Sequence, residues 1–166
     1  MAIFREDQLA GWLTEEETKG LLYLTGEIQD TAETLPCPHA QEGSFVVETY
    51  STNTTMDITY EGNELNVNIN PEIHGTISEV NCEQLDITSK ESHAYIHDAL
   101  EQKINELISE TLAIARDEHV DFTGIGREVY REQPTYGRRL NKIGMKHLHK
   151  QTLRFIQKQM SSSPET

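Results

Sequence analysis

The 166-residue sequence is poor in the groups that most often carry chemistry. It holds two cysteines and one tryptophan, and no apolar run approaches the ~18 residues that cross a bilayer. A membrane-spanning helix is therefore not expected. Cys37 and Cys82 lack the CxxC spacing of zinc and redox sites, which sets a thiolate metal centre aside. Two free, partly buried thiols are the expected state, with a bridge in an oxidising compartment as the alternative. Basic residues are scarce as well: 14 Lys and Arg stand against 28 Asp and Glu, a net charge of −14. So acidic a chain argues against nucleic acid as the main partner, because phosphate binding needs a dominant basic face. No secretory leader is expected, since Met1 opens directly onto a strand-like "AIF" and a charged turn. So abrupt a start suits the last domain of a longer chain.

What is present is 36% hydrophobic and 25% charged, the balance of a globular domain with a real core. One α+β domain over residues 1–160 and a disordered tail at 161–166, "SSSPET", are expected. "AIFRE" and "LAGWL" flank a polar turn at Asp7–Gln8, which predicts a hairpin or two short strands. Thr14 then precedes Glu15, Glu16 and Glu17. Thr14-x-x-Glu17 is the spacing of a capping box, and three acids at the positive end of a helix dipole favour the same helix start. Capping, rather than catalysis, is the expected work of these glutamates.

From residue 33 to about 87 the apolar period becomes two. The segments 43–50, 54–60, 64–70 and 72–80 read as antiparallel strands, with a tight turn at Glu61–Gly62–Asn63. Met56, Ile58, Tyr60, Leu65, Val67 and Ile69 are expected on the covered face, and Thr, Asn and Glu on the wet one. Thr88 or Ser89 caps the next element. Ile96, Leu100, Ile104, Leu107, Ile108, Leu112 and Ala115 recur at helical spacing, predicting one long helix over 89–118. "DFTGIG" breaks it, a short helix is expected before Pro134, and residues 137–160 suit a strand or a helix. The predicted fold is thus α+β: a mostly antiparallel β-sheet, including the first strands, with a long amphipathic helix packed on one face and a shorter N-terminal helix.

No motif here builds an active site. His93 and His97 lie at i, i+4, but no glutamate follows His93 and no third ligand is foreseen on that face. His147 and His149 have no Cys or carboxylate partner in the pattern. Gly124-x-Gly126 is half of a phosphate loop and follows a helix, where a strand is required. No serine stands in a GxSxG elbow. Catalytic, cofactor-binding and metal-binding residues are accordingly expected to be none.

One stretch identifies more. "AIFREDQLAGWLTEEETKGLLYL" (2–24) resembles the start of the C-terminal domain of the Ger(x)C family, the lipoprotein C subunit of nutrient germinant receptors in spore-forming bacteria. Ile3, Phe4, Leu9, Gly11, Trp12, Leu13, Glu17, Gly20, Leu21 and Leu22 follow the family's order. "INPEIHGTISE" (69–79), the long helix and "DFTGIGREVYREQP" (121–134) match its later landmarks. The chain's end departs from the family, with Tyr136 and a basic segment in place of a tryptophan-containing closing strand. The resemblance implies a non-enzymatic subunit that takes part in germination signalling. It implies A- and B-type membrane-embedded partner subunits, and an N-terminal lipid anchor absent from this sequence. The implied location is the outer face of the spore inner membrane, with this piece itself soluble. An extracytoplasmic module for a small ligand is the alternative, and a carboxylate hydrolase a more distant one. Within the first block, Gly11 is expected to permit a close or unusual backbone approach. Trp12 is expected to be buried near Leu21 or Leu22, with its N–H on a backbone carbonyl.

Charge also changes sign along the chain. Residues 1–126 hold 5 Lys and Arg against 25 Asp and Glu, or −20, and residues 127–166 hold 9 against 3, or +6. Arg138, Arg139 and Lys142 lead the basic end. It is expected to lie against the acidic body and offset its self-repulsion. The alternative is a docking surface for anionic lipid or an acidic partner.

Overall fold

Thr14 and Glu17 do cap the first helix reciprocally. The Glu17 amide donates to Thr14 Oγ1 at 3.3 Å and the Thr14 amide to Glu17 Oε2 at 2.6 Å, opening α1 (Glu15–Thr25). Gly26 closes α1 in the left-handed conformation, φ 71°, and the Glu27 amide returns to Leu22 O at 2.8 Å. The computed structural model describes residues 1–40, 42–61, 64–83 and 85–132.

The chain runs β1 (Ala2–Arg5), β2 (Gln8–Trp12), α1, β3 (Thr31–Pro36), β4 (Ser44–Glu61), β5 (Glu64–Asn81), α2 (Lys90–Asp117) and α3 (Ile125–Glu132). The α+β class and the antiparallel pairing agree with the sequence reading. Two details differ. Among the described residues the first strands do not join the main sheet; they form a two-stranded ribbon, beside a three-stranded sheet of order β3-β4-β5. And the four expected strands are two, because β4 and β5 each run on for 18 residues.

The reason is a pair of register shifts, between Val46 and Val47 and between Thr49 and Ser51. A bulge inserts one residue and so reverses which positions face the core. On β4 the covered residues are Phe45, Val47 and Thr49 before the second shift, and half-buried Met56 and buried Ile58 after it. Alternation therefore breaks in the sequence where the strand itself continues. Pro71 lacks a donor but lies on β5, which is an edge strand among the described residues, where one is dispensable.

α2 supplies the cover. Ser89 Oγ accepts from the Ser92 amide at 3.1 Å, and Ile96, Leu100, Ile104, Leu107, Ile108 and Ala115 are all buried. Leu112 is half-buried at the rim. The stripe meets Tyr23, Leu24, Phe45, Val47, Val67 and Ile69 in the main core, which Ile125 and Val129 of α3 extend. Under the hairpin a smaller core gathers Ile3, Leu13 and Leu21 against Ile114 and Phe122.

Cys37 and Cys82 are bridged, Cα–Cα 5.7 Å apart, which corrects the expectation of free thiols. Spacing in sequence gave no hint, because the 45-residue separation is closed by sheet register. Pro36 pairs with Ser44, and Ser44 with Asn81, so each cysteine stands one residue beyond the same end of the sheet. Gly43 makes room: at φ 112°, an added Cβ there would lie 3.1 Å from Cys37 Sγ. Constraining a loop of this length stabilises the fold by about 4 kcal/mol in the chain-entropy account. Tyr60 and Leu65 side chains, the turn at 62–63, His147, His149, Arg138, Arg139, Lys142, the 137–160 segment and the 161–166 tail fall outside what is described.

Candidate interaction surface

Strand parity decides the character of the N-terminal hairpin. Ala2 pairs with Trp12, Ile3 with Gly11 and Phe4 with Leu9, with a register shift between Ile3 and Phe4. Paired residues share a face, so Ile3 and Gly11 turn inward while Phe4, Leu9 and Trp12 share the outward face. Ile3 is buried; a Cβ on Gly11 would already touch Ile3 Cδ1 at 3.5 Å. Leu13, two residues past Gly11, continues the inward side and is buried beside Leu21. Trp12 has the opposite parity and is 71% exposed, with Phe4 at 57% and Leu9 at 52%. The expectation of a buried indole is therefore wrong. Alternation of Gly11 and Leu13 around Trp12 was the signal that could have shown it; aromatic size was given too much weight.

Glu17 of the sequence-derived set is a capping residue, as expected, and it does more. Its carbonyl accepts from Thr111 Oγ1 at 2.8 Å, tying the start of α1 to α2. Beside it, Lys103 Nζ meets Glu16 Oε1 at 3.0 Å, and that contact raises the lysine's pKa. The acidic helix start is thus used in capping and docking.

A buried polar cluster lies between α1 and β3. Glu33, 3% exposed, accepts from Lys19 Nζ at 3.3 Å and from the Tyr23 hydroxyl at 3.5 Å, while Lys19 also reaches Ala32 O at 3.2 Å. Burial raises the Tyr23 pKa well above the ordinary phenol value, and the Glu33 charge adds to the rise. Sequence reading missed this cluster, because it joins residues from different elements with no motif spacing. Its geometry is that of a paired buried charge.

On the exposed side of α2, one ligand atom each from His97, Asp98 and Glu101 lie within 4.8 Å of one another. His93, the other member of the i, i+4 pair, is not part of the group. Gly124 and Gly126 frame no phosphate loop: the Asp121 carboxylate already lies against Gly126 at the start of α3. A groove of about 410 Å³ runs between the end of α1, β4 and α3, with Thr25, Glu27, Thr54, Thr55 and Arg127 on its walls. Those walls are largely polar, unlike the apolar pocket that a small-ligand module was expected to need. Among the described residues no helix is long and apolar enough to cross a membrane.

The model of the family described as "Spore germination B3/GerAC like, C-terminal" matches residues 1–158. The chain belongs to that family. Its fold is also that of a solved protein described as "Crystal Structure of the GerBC protein", with TM-score 0.75 and 16% identity over 91% of this chain. The match takes in 46% of that chain, so the present sequence spans about half its length. A search of curated proteins found none that matches. Of the ten residues that carry the family resemblance in the first block, Ile3, Gly11, Leu13, Glu17, Gly20, Leu21 and Leu22 pack or cap the fold. Phe4, Leu9 and Trp12 face water.

Two outcomes are expected. Trp12 is the only tryptophan, so the emission of the native 166-residue chain should have the wavelength of indole in water; a blue-shifted maximum would contradict the exposed placement. The second concerns Tyr23. A phenol whose pKa is raised by folding holds its proton more tightly in the native state. That contribution is complete below about pH 10 and is lost as pH climbs toward the raised native value. The urea midpoint of the wild type, measured relative to Tyr23→Phe, should fall between pH 9 and 11; a constant difference would contradict the buried phenol.

Proposed function

We propose that this chain is the C-terminal domain of a longer lipoprotein, the C subunit of a nutrient germinant receptor, and that it acts by protein–protein contact without catalysis. The family match over residues 1–158 carries the reading. In it, a lipid on an N-terminal cysteine outside this sequence anchors the protein to the outer face of the spore inner membrane. Two membrane-embedded subunits of A and B type are its partners there.

Two features of the molecule support this. The functional landmarks resolve into packing, capping and an exposed apolar face, which is the anatomy of a surface that meets other protein. The Cys37–Cys82 bridge persists where the surroundings are oxidising, which suits a position outside the cytoplasm.

Spores lacking the full-length gene are expected to lose their response to at least one class of nutrient while germinating normally on non-nutrient triggers. A tagged full-length protein, extracted in mild detergent, is expected to carry two multi-spanning membrane proteins with it. Normal germination on every nutrient, with no membrane protein retained, would overturn the proposal.

A further inference from the structure

Among the described residues nothing covers the outward face of the hairpin. Phe4, Leu9 and Trp12 leave roughly 300–400 Å² of apolar side chain in water, the size at which a monomer's largest patch is commonly an interaction site. The hairpin is nevertheless well fastened from beneath, by Ile3 in the small core, by Leu13 N–H to Met1 O at 2.7 Å, and by the Arg5 guanidinium on Glu118 O. It is a firm platform with an apolar upper surface.

We infer that this face is the seat of the polypeptide that precedes the domain in the full-length protein, forming a seam between domains. The inference rests on the reading of the chain as the C-terminal domain of a longer protein. Three observations choose this occupant. Met1 is already paired into the hairpin, and Ala2 stands opposite Trp12. Any chain arriving at Met1 by a short connection therefore arrives beside the indole. The GerBC chain of the same fold is about twice as long as this one, which is the room a preceding domain needs. The rim of the patch is acidic, with Glu6 and Asp7 at the turn and Glu15 at the helix start, all exposed. An anionic lipid surface would be repelled there, whereas a protein surface with an apolar centre and basic edge would be attracted.

Hydroxyl-radical footprinting of the purified full-length protein tests this, with Tyr50 as internal standard because it is 54% exposed on β4. Trp12, the more exposed of the two in this domain, is expected to be modified at least five-fold more slowly than Tyr50 in the full-length monomer. Modification of Trp12 as fast as Tyr50 overturns the seam. Protection that vanishes on dilution assigns the face to a second copy, and protection that appears only with anionic vesicles assigns it to the membrane; either also overturns it. In a second arm, full-length protein carrying Leu9→Gln and Trp12→Gln is expected to be cut several-fold faster by limiting protease in the connection before Met1, with unchanged melting of this domain. Unchanged cleavage counts against the seam. The receptor reading fails separately: gene-deleted spores that germinate normally would remove it and leave a protected Trp12 standing.

Discussion

The crossing of α1 on α2 at Gly20 is the contact on which the rest of the molecule depends. A Cβ on Gly20 would overlap the Leu107 carbonyl oxygen and the Thr111 hydroxyl, so the two helix backbones approach as closely as a missing side chain allows. The closeness lets Thr111 Oγ1 reach Glu17 O on α1 as well as Leu107 O on its own helix. It also brings Glu16 to Lys103. With α1 seated in this way, Tyr23 and Leu24 enter the main core and Leu21 enters the small core under the hairpin. One helix thus closes the sheet layer and supports the ribbon whose upper face carries Trp12.

Much of this was legible because it is local. The capping box and the α2 stripe are periodic signals within one element, and both ends of α2 agree to within a residue of the reading. What was not legible depends on strand pairing. The bulge at Thr49/Ser51 reverses the parity of β4, so a single strand reads as two. The Cys37–Cys82 bridge is created by register at one end of the sheet, and neither cysteine's neighbours announce it. Trp12 is the instructive error: size suggested a core residue, while Gly11 and Leu13 on either side already claimed the inward positions.

The candidate site was legible to a similar degree. Glu17 caps α1 as its spacing foretold, Trp12 lies outward where burial was expected, and Gly11 meets only the Ile3 side chain at ordinary contact distance, with no close backbone approach. The buried Lys19–Glu33–Tyr23 cluster had no sequence signal because it joins α1 to β3 through tertiary packing alone. It contributes to fold specificity more readily than to chemistry, since the buried Glu33 carboxylate is paired with the partly exposed Lys19. The features that remain for function are surfaces. That is consistent with a spore germination family domain whose fold recurs as about half of a longer chain.

The closeness of the helix crossing is tested most directly by Gly20→Ala, because the local and tertiary effects have opposite signs. In a helix interior without tertiary constraint, alanine for glycine adds about 0.5–1 kcal/mol of stability. Here the new methyl must displace backbone on α2, and overpacking of that kind costs about 1–3 kcal/mol or more. The account expects the urea midpoint of Gly20→Ala to fall, with the loss exceeding the helical gain. A rise in the midpoint would show that α1 and α2 are not held together at that point, and would contradict the account.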